Sequence, residues 1–145
     1  MKPLLEICAG DIDSIRAAAE GGADRIELCS ALTEGGLTPS YGQLCAALES
    51  PVPVNVLIRP RRGDFLYSPG EVEVMCRDIE EAVSLGANGV VIGALTAEGD
   101  IDLHALEAMR RAAGNAHVTF HRAFDLCRDP ETALRKIIEA GCDTL

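Results

Sequence analysis

The residues able to do chemistry gather in a few short segments. Arg59 leads into PRRGDFLYSP, which adds Arg61, Arg62 and Asp64. Guanidinium groups beside carboxylates can hold an oxyanion such as a carboxylate or phosphate. Arg59 and Arg61 are therefore read as candidate anion holders, while Arg62 fits a solvated surface charge equally well. HRAFD contributes His121, Arg122 and Asp125. His121 is the best acid–base candidate, able to shuttle a proton or bind a metal, with Asp125 close behind it in sequence. Glu6 and Glu27 are candidate partner acids or bases. Gly35 and Gly36, in LTEGGLTPS, permit tight backbone geometry and expose amides.

Such groups need elements to hold them. Short β-type runs at Leu4–Cys8, Arg25–Cys29, Val54–Arg59, Gly89–Gly93 and Val118–His121 alternate with helical patterns near 11–21, 39–49, 69–85, 102–113 and 130–140. A sixth strand begins at Thr144. Ser68-Pro69-Gly70-Glu71 reads as a capped helix start, and Thr38-Pro39 and Asp129-Pro130 repeat the cap-then-proline signal. Gly22, Gly86 and Gly141 each follow a helix and suit a left-handed cap. The unit of about 30 residues is that of a βαβ repeat, which builds a parallel sheet.

Alternation along the strands sorts their side chains. Leu5 and Ile7, Ile26 and Leu28, Val54, Val56 and Ile58, and Val118 and Phe120 form apolar faces that must meet helices. The opposite faces carry Glu6 and Cys8; Arg25, Glu27 and Cys29; Asn55 and Arg59; His117, Thr119 and His121. Gly93 leaves room on that side. Unpaired buried charge costs several kcal/mol, so fold stability alone would not select these residues. An ion-pair network plugging a barrel is the competing reading. At the C-terminal strand ends, where barrels carry their sites, lie Cys8, Cys29, Arg59 and His121. His104 reads as a surface residue and His117 as a structural one.

Composition narrows the class. Thirteen basic against 23 acidic residues, a net charge of −10, argue against a nucleic-acid partner. No apolar run could span a bilayer, and the start has no signal-peptide pattern. The six cysteines include no CxxC and read as reduced thiols of a cytoplasmic protein, with Cys45 and Cys76 as small buried hydrophobes. No GxGxxG or Walker loop follows the first strand, so no nucleotide cofactor is expected.

The stretches LLEIC, GGADRIELCSALTEGGLTPS, IRPRRGDFLYS and VTFHRAFD, in that order, resemble the CutC family. The resemblance implies a (β/α)8 TIM-type barrel of α/β class, a cytoplasmic location and a role in copper homeostasis. It puts the family's proposed Cu(I) ligands on Cys8 and Cys29, which agrees with their shared face, and two thiolates suit a soft ion. The polar set Glu6, Glu27, Arg59, Arg61, Asp64, His121, Arg122 and Asp125 also matches the family pattern, with no settled reaction attached. Two departures stand out: Arg62 replaces the first glycine of PRGGDF, and the chain stops at Leu145, whereas a barrel typically takes about 250 residues. The chain, 1–145, is therefore expected to be one incomplete domain of about five βα units plus the start of strand six. Exposed strand edges make association with its own copies the expectation. The leading functional reading is copper binding without required catalysis. The alternative is a barrel enzyme acting on a small anionic metabolite by acid–base chemistry. A third reading is that this length is inactive.

Overall fold

The computed structural model describes residues 3–145. Among them are five strands, β1 (Glu6–Ala9), β2 (Arg25–Leu28), β3 (Val54–Leu57), β4 (Gly89–Ile92) and β5 (His117–Phe120). Five helices alternate with them, α1 (Ile12–Glu20), α2 (Tyr41–Leu48), α3 (Pro69–Ser84), α4 (Leu103–Ala113) and α5 (Pro130–Glu139). All strand pairs are parallel, in the order β1-β2-β3-β4-β5. A lone bridge from Thr119 to Thr144 continues the sheet beyond β5, where a sixth strand is expected. No helix of the described residues is long and apolar enough to cross a membrane.

Helix boundaries follow local chemistry. Ser68 accepts from the Glu71 amide and Glu71 answers it, a capping box with Pro69 in the first turn. Asp129 caps α5, and Asp11 with Ser14 caps α1. Gly22, Gly86 and Gly141 take φ of 82°, 100° and 80°, the left-handed region anticipated for them. Thr38 departs from its expected role: α2 starts two residues later, capped by Ser40.

The two sheet faces differ in kind. Ile26, Leu28, Val56, Ile58, Val90, Ile92, Val118 and Phe120 are buried under the helices in one continuous core. The other face is layered. One row runs Cys8, Glu27, Asn55, Gly89, His117 across all five strands. The next runs Leu57, Val91, Thr119, Thr144, with Cys29, Leu57 and Val91 packed as a small apolar cluster. Arg59, Gly93 and His121 stand one row further, just past the C-terminal ends of β3, β4 and β5. Leu5 departs from the apolar-face pattern: it precedes β1 at the sheet edge and is 49% exposed.

Candidate functional site

The layered face opens into a cavity of about 740 Å³ whose walls include Glu27, Leu57, Arg59, Phe65, Thr119 and His121. That volume lies in the range of small-molecule sites. At its centre Arg59 is only 7% exposed. Its backbone is clamped by Thr38: the Arg59 amide donates to Thr38 Oγ1 at 2.8 Å, and its carbonyl accepts from the Thr38 amide at 3.0 Å. Its guanidinium then ties two loops together. Nη1 donates to the carbonyls of Glu34 (2.9 Å) and Gly36 (3.1 Å), and Nη2 to that of Gly63 (2.8 Å). The Phe65 ring lies under the guanidinium, 5.0 Å from its central carbon. Gly36 suits this cradle because its φ is +88° and a Cβ there would fall 2.7 Å from Leu57 Cδ2. Among the described residues, no carboxylate lies within 4.0 Å of Arg59, and its buried Nε has no partner.

His121 stands across the cavity, its ring 5.0 Å from that of Phe65. Its Nδ1 accepts from the Ala123 amide at 3.1 Å, capping a 3-10 turn over Arg122–Leu126. The neutral ring therefore carries its proton on Nε2, which is buried without a partner. Burial, with the nearby charges of Arg59 and Arg122, pushes its pKa down to about 4. The supporting role expected of Asp125 is not seen: Asp125 is exposed, and the Nδ1 it would have oriented is occupied by the Ala123 amide.

Gly93 explains how His121 fits. A Cβ there would lie 2.4 Å from His121 Cε1, so the missing side chain on β4's end is the space the imidazole fills. Gly93→Ala is expected to displace the ring and cost about 1–3 kcal/mol, the usual range for overpacking, measured by urea denaturation.

Arg61 and Asp64 lie outside the cavity walls. Arg61 pairs with Glu71 at 2.5 Å and Asp64 at 3.1 Å, donates to the Leu66 carbonyl at 2.7 Å and covers the Tyr67 ring. These contacts brace the loop that supplies Gly63 to Arg59. Arg62 is exposed and faces Glu34 at 3.8 Å. Arg122 and Asp125 line the outer cavity. His117 is a fold residue, with Nε2 2.9 Å from Thr144 Oγ1 and Nδ1 3.9 Å from Asp143. Exposed His104 matches its surface reading, whereas Cys45 and Cys76 are half-buried rather than buried.

The thiols form a second centre. Cys8 is level with Glu27, so Cys29 lies one row beyond it. The two side chains meet on the diagonal, with Sγ atoms 3.6 Å apart. Cys8 is exposed on the edge strand and Cys29 is buried. A hydrogen bond from Cys29 holds the Cys8 thiol below its ordinary value, whereas the same bond and burial push Cys29 up. Cys29 also lies 3.7 Å from the Ala9 carbonyl. Glu27 beside them is raised by burial and by Glu6, and Glu6 itself is ion-paired with Arg25. Among the described residues no three His, Cys, Asp or Glu side chains cluster around one potential metal position.

Thr38 and Phe65 were not distinguished by sequence. Thr38 carries a helix-cap signal that its actual long-range contact overrides. Phe65 has no polar group, and only its place between Arg59 and His121 gives it importance.

The CutC family model matches residues 3–145. A CutC family protein of Bacteroides thetaiotaomicron is 54% identical over 97% of this chain and 57% of its own length. One from Chromobacterium violaceum is 53% identical over 100% of this chain and 59% of its own. The chain thus spans somewhat over half the length of these curated relatives. Its structure superposes with TM-score 0.91 and 34% identity on a Streptococcus agalactiae CutC whose name ties it to copper homeostasis, covering 97% of this chain and 70% of that one. Family match, identity and fold agree, and the chain belongs to the CutC family.

Proposed function

We propose that this chain serves copper homeostasis in a reducing cytoplasm by holding Cu(I) between Cys8 and Cys29. The carrying observation is the 3.6 Å separation of the two sulfurs. At a metal–thiolate bond of about 2.3 Å, that spacing subtends roughly 100° at a shared ion, a bent arrangement that leaves coordination space open. A linear pair would need about 4.6 Å at the same bond length, so the sulfurs would spread by about 1 Å. Thiolates select soft ions, and the lowered Cys8 thiol eases loss of the first proton, while the ion itself must displace the proton of the raised Cys29 thiol. The name of the S. agalactiae relative supports the assignment. In the whole protein, the five-stranded sheet is one part of a (β/α)8 barrel wall, a reading supported by the parallel order and the layered polar face.

Anaerobic competition against a chromophoric Cu(I) chelator tests the thiol pair. One ion per chain is expected, with Cys8→Ser and Cys29→Ser each weakening binding by more than about a hundredfold, roughly 2.7 kcal/mol. Cys45→Ser should leave affinity unchanged. Unaltered affinity in both thiol variants would remove the pair from the mechanism.

A further inference from the structure

We propose a second, metal-independent site at the Arg59–Thr119–His121 end of the cavity, which binds a small organic oxyanion bearing a carboxylate or phosphate. Arg59 is a buried cation hydrogen-bonded to three backbone carbonyls and close to the Tyr67 hydroxyl, with no carboxylate within 4.0 Å among the described residues. Its charge is thus solvated by dipoles but not neutralised. Three donor groups facing this region lack partners while buried: Arg59 Nε, Thr119 Oγ1 and His121 Nε2. Buried polar atoms are almost always paired, so three at the C-terminal side of β3 and β5, on either side of β4 and all from residues lining one cavity, call for an acceptor. An oxyanion supplies both the counter-charge and several acceptor oxygens.

The rest of the cavity defines the ligand's body. Leu57, Phe65, Val91 and Phe124 give apolar walls beside the donors. Arg122 at the outer wall adds a second positive charge, and the neutral imidazole supplies a donor without competing for protons near neutrality. The acidic residues weigh against anions at long range, but beyond about 8 Å their field is screened at physiological salt. Of the acidic wall residues, Glu6 is already paired with Arg25, Glu27 is pushed toward its neutral form by burial and by Glu6, and Asp125 and Glu34 are exposed. The fit is therefore to a metabolite of a few carbons, not a polyanion.

Calorimetric titration at 150 mM NaCl with 2-phosphoglycolate, inorganic phosphate and glycolate tests the site and separates the two oxyanion sources. The proposal expects saturable 1:1 binding of at least one probe, weakened about tenfold in Thr119→Val and in His121→Asn, a change of about 1.4 kcal/mol. Thr119→Val keeps the side-chain shape and removes only the hydroxyl, so its fold is checked by an unchanged melt. The His121 Nε2–H resonance should also shift on ligand addition in the unsubstituted chain. No saturation by any probe up to about 10 mM, or affinity unchanged from the parent in both variants, overturns the proposal. Cu(I) affinity should be the same in Thr119→Val as in the parent, so this site and the thiol pair stand or fall separately.

Discussion

Arg59→Lys should lower the unfolding free energy by about 3 kcal/mol, despite keeping the charge. The native guanidinium sends Nη1 to Glu34 and Gly36 and Nη2 to Gly63, joining the loop after β2 to the loop after β3. Each hydrogen bond from a charged donor contributes about 1.5–3 kcal/mol, and a carbonyl left buried without a donor costs comparably. Lysine offers one ammonium in place of a planar fork, so it cannot serve both loops at once. It also loses the flat contact with Phe65. Arg59→Met removes the charge as well, and should be no less damaging, because the same carbonyls go unserved. Urea denaturation of both variants measures the effect. A lysine variant within about 0.5 kcal/mol of the parent would mean that the carbonyl cradle contributes little. Hydrogen exchange locates the loss: the loops bearing Gly36 and Gly63 should open while β4 and α4 stay protected.

The framework around Arg59 was legible because it is written in local chemistry. Period-two apolar runs, cap residues and post-helix glycines fix strands and helices within a few neighbouring positions. Strand parity then separates Glu27, Cys29, Asn55, Arg59 and His121 from the helix-facing core without knowledge of tertiary contacts. Three features resisted the same reading for one physical reason. Thr38-Pro39 has the form of a helix start, but the Thr38 hydroxyl bonds an amide 21 residues away. Asp125 is near His121 in sequence, but the 3-10 turn brings the Ala123 amide to the imidazole instead. Cys8 and Cys29 end similar runs, but the register shifts them by one row, and only their diagonal approach brings them together. In each case a polar atom has several partners within reach, and the choice depends on distant chain.

The pH response of stability isolates His121. Its folded value, about 4, lies below the ordinary 6.5, because burial and the charges of Arg59 and Arg122 oppose the imidazolium. The unfolded chain therefore takes the proton first as pH falls. Stability from this group is complete above about pH 6.5 and is lost progressively toward pH 4, as the unfolded state gains a proton the folded state refuses. Between pH 7.5 and pH 5 the loss should be about 2 kcal/mol. Other groups titrate too, and Glu27, raised by burial and Glu6, contributes with the opposite sign: its stabilisation is present at low pH and fades as pH rises through its folded value. A difference measurement removes them. In His121→Asn the amide oxygen can still accept from the Ala123 N–H, so the cap is kept while the titration disappears. Unfolding free energies of the two proteins at pH 7.5 and pH 5 should thus show the parent losing about 2 kcal/mol more than the variant. Equal losses would mean that the imidazole is solvated and free to take a proton, and its Nε2–H would then not be a fixed donor facing Arg59. A smaller gap on adding an oxyanion that binds beside Arg59 is the corollary, since a nearby negative charge favours the imidazolium in the folded state. Stability and ligand binding would then report on the same imidazole by independent routes.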